Sequence, residues 1–390
     1  MKKIFLLLLL MPLALHAQTS TMPLDSNAFA AVLTCDAGSD FYTTFGHTAI
    51  RICDTAHQID VVYNYGTFDF NTKHFYWKFA CGNLNYCLSR TSFANFLREY
   101  DYEGRAVWQQ RLRLTPQEVN NLFLMLEMNY EPQYRYYRYD FFKDNCATRV
   151  RDMISACLVH RDGFVEHEVA DAMTYRQLLR SYTDNSVSGK WWQTGIDVLI
   201  GARCDRPCNS MEYMFLPMDL MRQLDTTHFA VADSAVTLAD RYTTLLAGSK
   251  KMEESSLIQF SPLLIFVIFL VVVIIISFAA SMYGWRLTWL DATMFGILGI
   301  LSLFIIFFWA FSAYACTKWN FNILWASPLF LYMAFRPNSS PLWMYITQFV
   351  LLVVSLIGAF WIQSLPVAAY LLIPAVGLRL FSKIINYSKS

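Results

Sequence analysis

The stretch DNCATRV, residues 144–150, predicts the start of a helix with Cys146 in its first turn. Five apolar residues from this point recur at the spacing of one helical face, namely Val150, Met153, Ile154, Cys157 and Leu158. Either Asp144 or Asn145 can cap the helix. The free N–H groups and the positive end of the helix dipole stabilise a thiolate, so we expect a lowered pKa for Cys146. The same N–H groups could hold an oxyanion.

A second stretch, FGHTAIRI at residues 45–52, alternates as a strand does. One face carries Thr48, Ile50 and Ile52, and the other carries His47, Ala49 and Arg51. The segment IDVVYNYG, residues 59–66, follows after a short polar turn, which predicts a hairpin. Its register brings Asn64 or Tyr65 beside His47. Asn64 is therefore the candidate for orienting the imidazole, with Tyr65 and Asp60 behind it.

A helix-borne Cys146, a strand-borne His47 and a polar Asn64 on the neighbouring strand form the constellation of papain-like hydrolases and acyltransferases, which is defined by geometry and not by chain order. In this chain the histidine precedes the cysteine, which is the order of the circularly permuted group. We therefore predict an α+β, circularly permuted papain-like (NlpC/P60-like) domain with these three residues as its catalytic set.

Other roles for the cysteines stay open. The soluble part contains Cys35, Cys53, Cys81, Cys87, Cys146, Cys157, Cys204 and Cys208. A lone cysteine is commonly a small buried hydrophobe or half of a disulfide. Short disulfides could join Cys81 to Cys87 and Cys204 to Cys208, and Cys35 could join Cys53. A metal site of His47, Cys53, His57 and Cys35 is conceivable, although no paired-ligand spacing supports it.

Composition divides the chain into an exported part and a membrane part. Residues 1–17 have Lys2 and Lys3 before an apolar run and a small Ala17, which predicts a signal peptide cleaved after Ala17. Residues 18–256 have the composition of one soluble periplasmic domain, and residues 257–390 are almost continuously apolar. A polar stretch at 245–262 joins the two. The net charge of +1 argues against a nucleic-acid partner.

About five membrane-spanning helices are predicted in the apolar part, because a span needs roughly 20 apolar residues. They cover residues 262–283, 293–316, 321–335, 342–362 and 366–384. With the soluble domain outside, Arg286, Arg336 and the basic C-terminal end lie inside, in agreement with the positive-inside bias. The turn TKWNFNILWASP, residues 317–328, lies outside. Two roles are open for its polar residues Lys318, Asn320 and Asn322. In the first they snorkel or cap a helix, and in the second they contact a lipid headgroup.

The soluble part resembles the periplasmic domain of the Lnb-type lipoprotein N-acyltransferases of Bacteroidota. The segments that carry the resemblance are FGHTAIRI, VYNYGTFDF, KFACGNLNYCL, YRYDFFKDNCATRVRDMI, TYRQLL, WWQTGIDVLIGARCDRP and EYMFLPMDL. The apolar part, with NFNILWASPLFL, is also similar to the family. The resemblance implies that Cys146 is the acyl-accepting nucleophile and His47 its base. It assigns no third catalytic residue, so Asn64 rests on the hairpin argument.

The resemblance also implies the reaction and its partners. An acyl chain would move from a membrane phospholipid to the α-amino group of the S-diacylglyceryl cysteine of a lipoprotein. Apart from the resemblance, we predict no cofactor and no metal. Two alternatives remain: a membrane-anchored cysteine peptidase or cell-wall amidase with the same Cys–His pair, and a binding or assembly protein in which Cys146 is structural.

Overall fold

The computed structural model describes residues 23–38, 40–159, 163–184, 186–231, 234–249 and 260–387. The predicted signal peptide and most of the polar linker lie outside these ranges.

An antiparallel sheet is the frame of the N-terminal part. In the described ranges it has seven strands in the order β6-β4-β3-β2-β1-β5-β9. These strands are β1 (Phe29–Cys35), β2 (His47–Asp54), β3 (Ile59–Thr67), β4 (Asn85–Ser92), β5 (Val107–Arg111), β6 (Tyr136–Arg138) and β9 (Thr243–Leu246). A separate hairpin consists of β7 (His228–Val231) and β8 (Ser234–Thr237). The α+β class predicted for this part is therefore observed.

The predicted hairpin is the β2–β3 pair, in which Ile50 lies opposite Tyr63. Its turn is closed by Asp54, whose Oδ1 accepts hydrogen bonds from the backbone N–H groups of Ala56 (3.0 Å) and His57 (3.2 Å). A side chain that bonds its own following backbone fixes a tight turn. The polar turn thus sets the register of the two strands.

Helices cover both faces of this sheet. The helices of the N-terminal part are α1 (Phe75–Ala80), α2 (Phe93–Tyr102), α3 (Pro116–Tyr130), α4 (Cys146–Cys157), α5 (Tyr175–Thr183), α6 (Val187–Leu199), α7 (Ser210–Tyr213) and α8 (Pro217–Thr226). Ile50 and Ile52 pack against Val150 and Ile154 of α4 in one core, while Ala49 packs in a second core with α2. The alternating faces predicted for β2 are therefore confirmed: the face of Thr48, Ile50 and Ile52 is buried, and on the other face Ala49 is buried while His47 and Arg51 are half-buried.

The C-terminal part is helical, but it differs from the prediction of five full spans. Its helices are α9 (Pro262–Tyr283), α10 (Thr288–Phe311), α11 (Leu329–Phe335), α12 (Leu342–Gly358) and α13 (Ala369–Tyr387). Within the described ranges, three of them, α9, α10 and α13, are long and apolar enough to cross a membrane. The 17 residues of α12 extend for roughly 26 Å at about 1.5 Å per residue, slightly less than a hydrocarbon core of about 30 Å.

The predicted third span, residues 321–335, is wrong as a continuous helix. The structure has a short 3₁₀ turn at Phe321–Ile323 and the seven-residue helix α11, with Pro328 between them. Proline cannot continue a helix that precedes it, because its ring clashes with the backbone of the previous turn. In addition, the side chains of Asn320 and Asn322 donate hydrogen bonds to carbonyl groups at the end of α6.

Two basic residues of α13, Arg379 and Lys383, pair with one acidic residue of α10. The Nε of Arg379 lies 2.7 Å from Oδ1 of Asp291 in α10, and the Nζ of Lys383 lies 2.5 Å from Oδ2 of the same carboxylate. Asp291 is completely buried. Since an unpaired charge within a membrane is very unfavourable, the carboxylate lets α13 carry two cations and ties it to α10.

The polar turn of residues 317–328 joins the two parts of the chain. The Nδ2 atom of Asn320 donates to the carbonyl groups of Val198 (2.8 Å) and Leu199 (3.0 Å), at the end of α6. Asn322 donates to the carbonyl of Asp197 at 2.9 Å. These are among the last carbonyls of a helix, which lack partners within it. The helix-capping alternative is the one that the structure shows for these asparagines.

Lys318 caps a different helix. Its Nζ donates to the carbonyls of Trp309 (2.5 Å) and Ser312 (2.6 Å) at the end of α10. Gly201 lies beside Lys318, and its lack of a side chain lets the two backbone segments approach closely. A Cβ at position 201 would lie 2.0 Å from the carbonyl oxygen of Lys318. The backbone N–H of Gly201 donates to the Cys316 carbonyl at 2.8 Å. The two parts of the chain are thus in direct backbone contact.

Candidate active site

Cys146 is the first residue of α4, and the cap of this helix fixes its position. The Oδ1 atom of Asn145 accepts hydrogen bonds from the backbone N–H groups of Ala147 and Thr148, both at 2.9 Å. In return, the Oγ1 of Thr148 accepts from the backbone N–H of Asn145 at 2.8 Å. This reciprocal pair is a capping box, which satisfies N–H groups that have no partner within the helix. Cys146 is therefore held at the positive end of the helix.

Of the two capping candidates, Asn145 is the cap and Asp144 is not. The amide group of Asn145 also donates to the carbonyls of Phe141 (2.8 Å) and Phe215 (2.9 Å), so every polar atom of this buried side chain has a partner. Asp144 instead forms an ion pair with Arg149, in which Nη2 and Oδ2 are 2.9 Å apart. The helix start is consequently anchored to the neighbouring loops as well as to itself.

His47 and Asn64 lie together at one end of the β2–β3 hairpin. The Nε2 atom of His47 is 3.3 Å from Oδ1 of Asn64. The amide oxygen can only accept, so Nε2 carries the proton in this contact and Nδ1 is the basic nitrogen. Asn64 therefore fixes both the orientation and the tautomer of the ring.

The sulfur of Cys146 lies against the backbone of the strand that carries His47. The backbone N–H of Thr48, the residue after His47, is a hydrogen-bond donor to the Cys146 sulfur. A Cβ built on Gly66, two residues after Asn64, would lie 3.7 Å from the Cβ of Cys146. The structure thus brings all three predicted residues to the same end of two strands and one helix.

The residues expected behind Asn64 have other roles. Asp60 lies towards the opposite end of the hairpin, where its carboxylate pairs with the guanidinium of Arg51 at 2.7 and 2.8 Å. Tyr65 is buried in the core, and its hydroxyl has no hydrogen-bond partner in the described residues. The prediction of a supporting role for Asp60 was wrong, because the register that brings Asn64 to His47 places Asp60 opposite Cys53, near the turn.

Burial determines the protonation states of Cys146 and His47. It raises the pKa of Cys146 above that of a free cysteine, although the backbone N–H groups of Thr48 and Ala147 act in the opposite direction. Burial also lowers the pKa of His47 to about 4; the nearby Arg105 adds to this, and the hydrogen bond to Asn64 opposes it. The expected lowering of the Cys146 pKa is therefore wrong. At pH 7 the resting site holds a neutral thiol and a neutral imidazole.

The raised pKa of Cys146 and the lowered pKa of His47 predict how alkylation of Cys146 depends on pH. In the substrate-free protein, the rate constant for iodoacetamide should rise about tenfold per pH unit from pH 6 to beyond pH 9, because only the thiolate reacts. Mass spectrometry of the Cys146 peptide measures the rate, and the Cys146→Ala variant gives the background from the other cysteines. A fast, pH-independent plateau between pH 5 and 8 would show a thiolate–imidazolium pair instead.

Arg105 is a component of the site for which the sequence gave no signal. Its side chain is 5% exposed, its Nε donates to the carbonyl of Asp36 at 2.8 Å, and its Nη1 donates to Glu103 at 2.7 Å. Its positive charge lowers the pKa of both His47 and Cys146. It lies in a loop, between α2 and β5, so no periodic pattern marks it.

The cysteines form no disulfide bond in the part of the chain that the structure describes. The suggested pair of Cys35 and Cys53 is excluded by strand register, since Cys35 lies opposite His47 while Cys53 lies opposite Phe29. At about 3.4 Å per residue, they are separated by roughly 20 Å along the strands. The other suggested pairs, Cys81 with Cys87 and Cys204 with Cys208, are not bonded either.

The suggested metal ligands do not come together. His57 lies at the turn, where its Nδ1 is 2.7 Å from Oδ2 of Asp54, whereas His47 lies at the other end of β2. In the described residues, no group of three or more histidine, cysteine or acidic side chains is arranged to hold a metal ion.

Comparison with known families finds two matching family models, one for each part of the chain. The family model of the Lnb N-terminal periplasmic domain matches residues 16–181, and that of the Lnb transmembrane domain matches residues 252–390. Searches of curated proteins and of solved structures each return no significant match. The order of the two domains supports a protein of the inner membrane. The two matches cover most of the chain, and the chain therefore belongs to the Lnb family.

Proposed function

We propose that this protein is a lipoprotein N-acyltransferase that works through a thioester on Cys146. Family membership supports the general role, and one observation supports the mechanism: Cys146, at the positive end of α4, lies against the backbone that carries His47, whose ring is oriented by Asn64. The same helix-and-hairpin arrangement supports, as part of this proposal, a relation to the permuted papain-like proteins.

The first half-reaction transfers an acyl group from a phospholipid ester to the enzyme. Nδ1 of His47 takes the proton of the Cys146 thiol as the sulfur attacks the ester carbonyl, so no preformed thiolate is needed. The positive end of α4 stabilises the tetrahedral oxyanion. When the C–O bond breaks, the imidazolium gives its proton to the departing lysophospholipid, and a thioester remains.

The second half-reaction regenerates the thiol. The α-amino group of a diacylated lipoprotein, with an ordinary pKa of about 8, is partly neutral near pH 7 and can attack the thioester. His47 accepts a proton from this amine and returns one to the sulfur as the C–S bond breaks. The products are an amide on the lipoprotein and free Cys146. We further propose that the basic C-terminal end of the chain is cytoplasmic, in keeping with the positive-inside bias.

Mass spectrometry tests donor, intermediate and acceptor together. The purified full-length protein is incubated with phospholipid alone, and then with a synthetic diacylated lipopeptide that has a free α-amine. We expect a hydroxylamine-sensitive acyl adduct on the Cys146 peptide, which disappears as triacylated lipopeptide forms. Absence of both products would reject the proposal. Cleavage of cell-wall peptides by the same preparation would favour the amidase alternative.

A further inference from the structure

An apolar groove of about 440 Å³ lies where α1 of the periplasmic domain crosses α10 of the transmembrane domain. Trp77 and Ala80 line one side, and Leu303, Phe304 and Phe307 line the other. The rings of Trp77 and Phe307 are 5.3 Å apart, centre to centre. None of the residues that line the groove carries a charge. Its volume is within the range of about 300–1,000 Å³ that is typical of small-ligand sites.

The groove opens towards the bilayer. Leu303 and Phe304 are 50% and 55% exposed, and they belong to a helix of 24 residues that is long and apolar enough to cross a membrane. Just beyond the end of α10, the backbone N–H of Ala313 donates to the carbonyl of Cys81 at 2.9 Å. The groove therefore lies in the leaflet nearer the periplasmic domain, where its exposed side meets acyl chains.

A row of aromatic rings leads from the groove into the periplasmic domain. Phe79, on the helix that forms one wall, lies 6.3 Å from Tyr314 and 6.2 Å from Phe141, measured between ring centres. Phe141 is 4.8 Å from Tyr314 and 5.6 Å from Tyr139. These spacings are those of rings in contact. The row is thus a continuous series of aromatic ring contacts.

The row ends at the candidate nucleophile. A Cβ built on Gly66 would lie 3.5 Å from Cε2 of Tyr139 and 3.7 Å from Cβ of Cys146. Gly66 has a φ of +91°, a conformation that residues with a side chain rarely adopt. Tyr139 and Cys146 therefore face each other across a backbone that bears no side chain.

We infer that a fatty acyl chain of a membrane phospholipid occupies this groove and reaches Cys146 along the aromatic row. The inference rests on the proposed function and specifies how its donor is bound. Removing an acyl chain from an apolar environment costs about 0.8 kcal/mol per CH₂. A path along the apolar groove and the aromatic rings would avoid that cost, and the uncharged lining of the groove suits a hydrocarbon chain better than a peptide.

Substitutions that fill the groove test the inference. Leu303→Trp and Ala80→Trp add a large ring from opposite walls. Ile297→Trp is the matched control, because Ile297 is 61% exposed on the same helix and does not line the groove. Acylation of Cys146 by phospholipids with 16-carbon chains should fall at least tenfold in both groove variants and stay unchanged in the control. A water-soluble acetyl thioester should acylate all the proteins equally. Unchanged phospholipid rates in the groove variants would overturn the inference.

A second measurement does not depend on turnover. Full-length Cys146→Ala protein in nanodiscs is irradiated with a phospholipid that carries a diazirine near the end of one acyl chain. We expect cross-links to Phe141 and Tyr139, which lie in the periplasmic domain, and a loss of these cross-links in a Leu303→Trp background. Cross-links confined to the transmembrane helices would reject the acyl path. If wild-type protein forms no thioester but these cross-links appear, the proposed acyltransferase function is wrong. The inference that an acyl chain binds along the groove and the aromatic row is then still supported.

Discussion

Replacement of Cys146 with alanine should lower the rate of acyl transfer to a diacylated lipopeptide by at least about 10³-fold, because it removes the nucleophile that the proposed thioester requires. Cells that depend on this protein should then accumulate diacylated lipoproteins. Mass spectrometry of lipoprotein N-termini measures the cellular effect, and conversion of a synthetic lipopeptide measures the rate.

Cys157→Ala is the matched control for this substitution. Cys157 ends the same helix, and both cysteines are buried, at 8% exposure for Cys146 and 1% for Cys157. Cys157 lies on the apolar face, three turns from the helix start, so its replacement should reduce stability slightly and leave acyl transfer within about twofold of wild type. Full activity of Cys146→Ala would show that the cysteine is structural. Loss of activity in both variants would point to damage of the helix rather than loss of a nucleophile.

The local parts of the site could be predicted because short-range chemistry determines them. The start of α4 follows from the capping residue and the apolar spacing after it, and the β2–β3 hairpin follows from alternation on both sides of a polar turn. Asn64 was chosen from the register of this hairpin, and its Oδ1 lies 3.3 Å from the imidazole of His47. Its catalytic role stays a prediction that no comparison tests.

Effects that depend on tertiary contacts could not be predicted. The helix start alone suggested a lowered pKa for Cys146, but the packing of other segments around the sulfur raises it. Arg105 reaches the site from a distant loop. The polar residues Asn320 and Asn322 interrupt an apolar segment because α6, more than a hundred residues earlier, offers carbonyl groups to them. Such partners have no local sequence pattern.

The largest effect on stability is expected from Arg176, which lies close to the contact between the two domains. Its side chain is completely buried, with Nη1 at 2.9 Å from Oδ1 of Asp197 and Nε at 2.9 Å from Oδ1 of Asp205. The backbone N–H of Ser364, just before α13, donates to the same atom of Asp205 at 3.2 Å. Arg180 bridges Asp197 (2.8 Å) and the Leu365 carbonyl (3.2 Å). The cluster thus connects α5 and α6 to the transmembrane domain.

Arg176→Met should lower the free energy of unfolding by about 3–5 kcal/mol, because it leaves two carboxylates in the interior without their main cation. The same change at Arg113, whose ion pair with Asp240 is 46% exposed on both sides, should have an effect of about 1 kcal/mol or less. Pulse proteolysis of the full-length proteins in detergent, over a denaturant series, measures both. Equal stability of the two variants would show that the buried cluster is dispensable, and that the asparagine caps and backbone contacts alone hold the domains together.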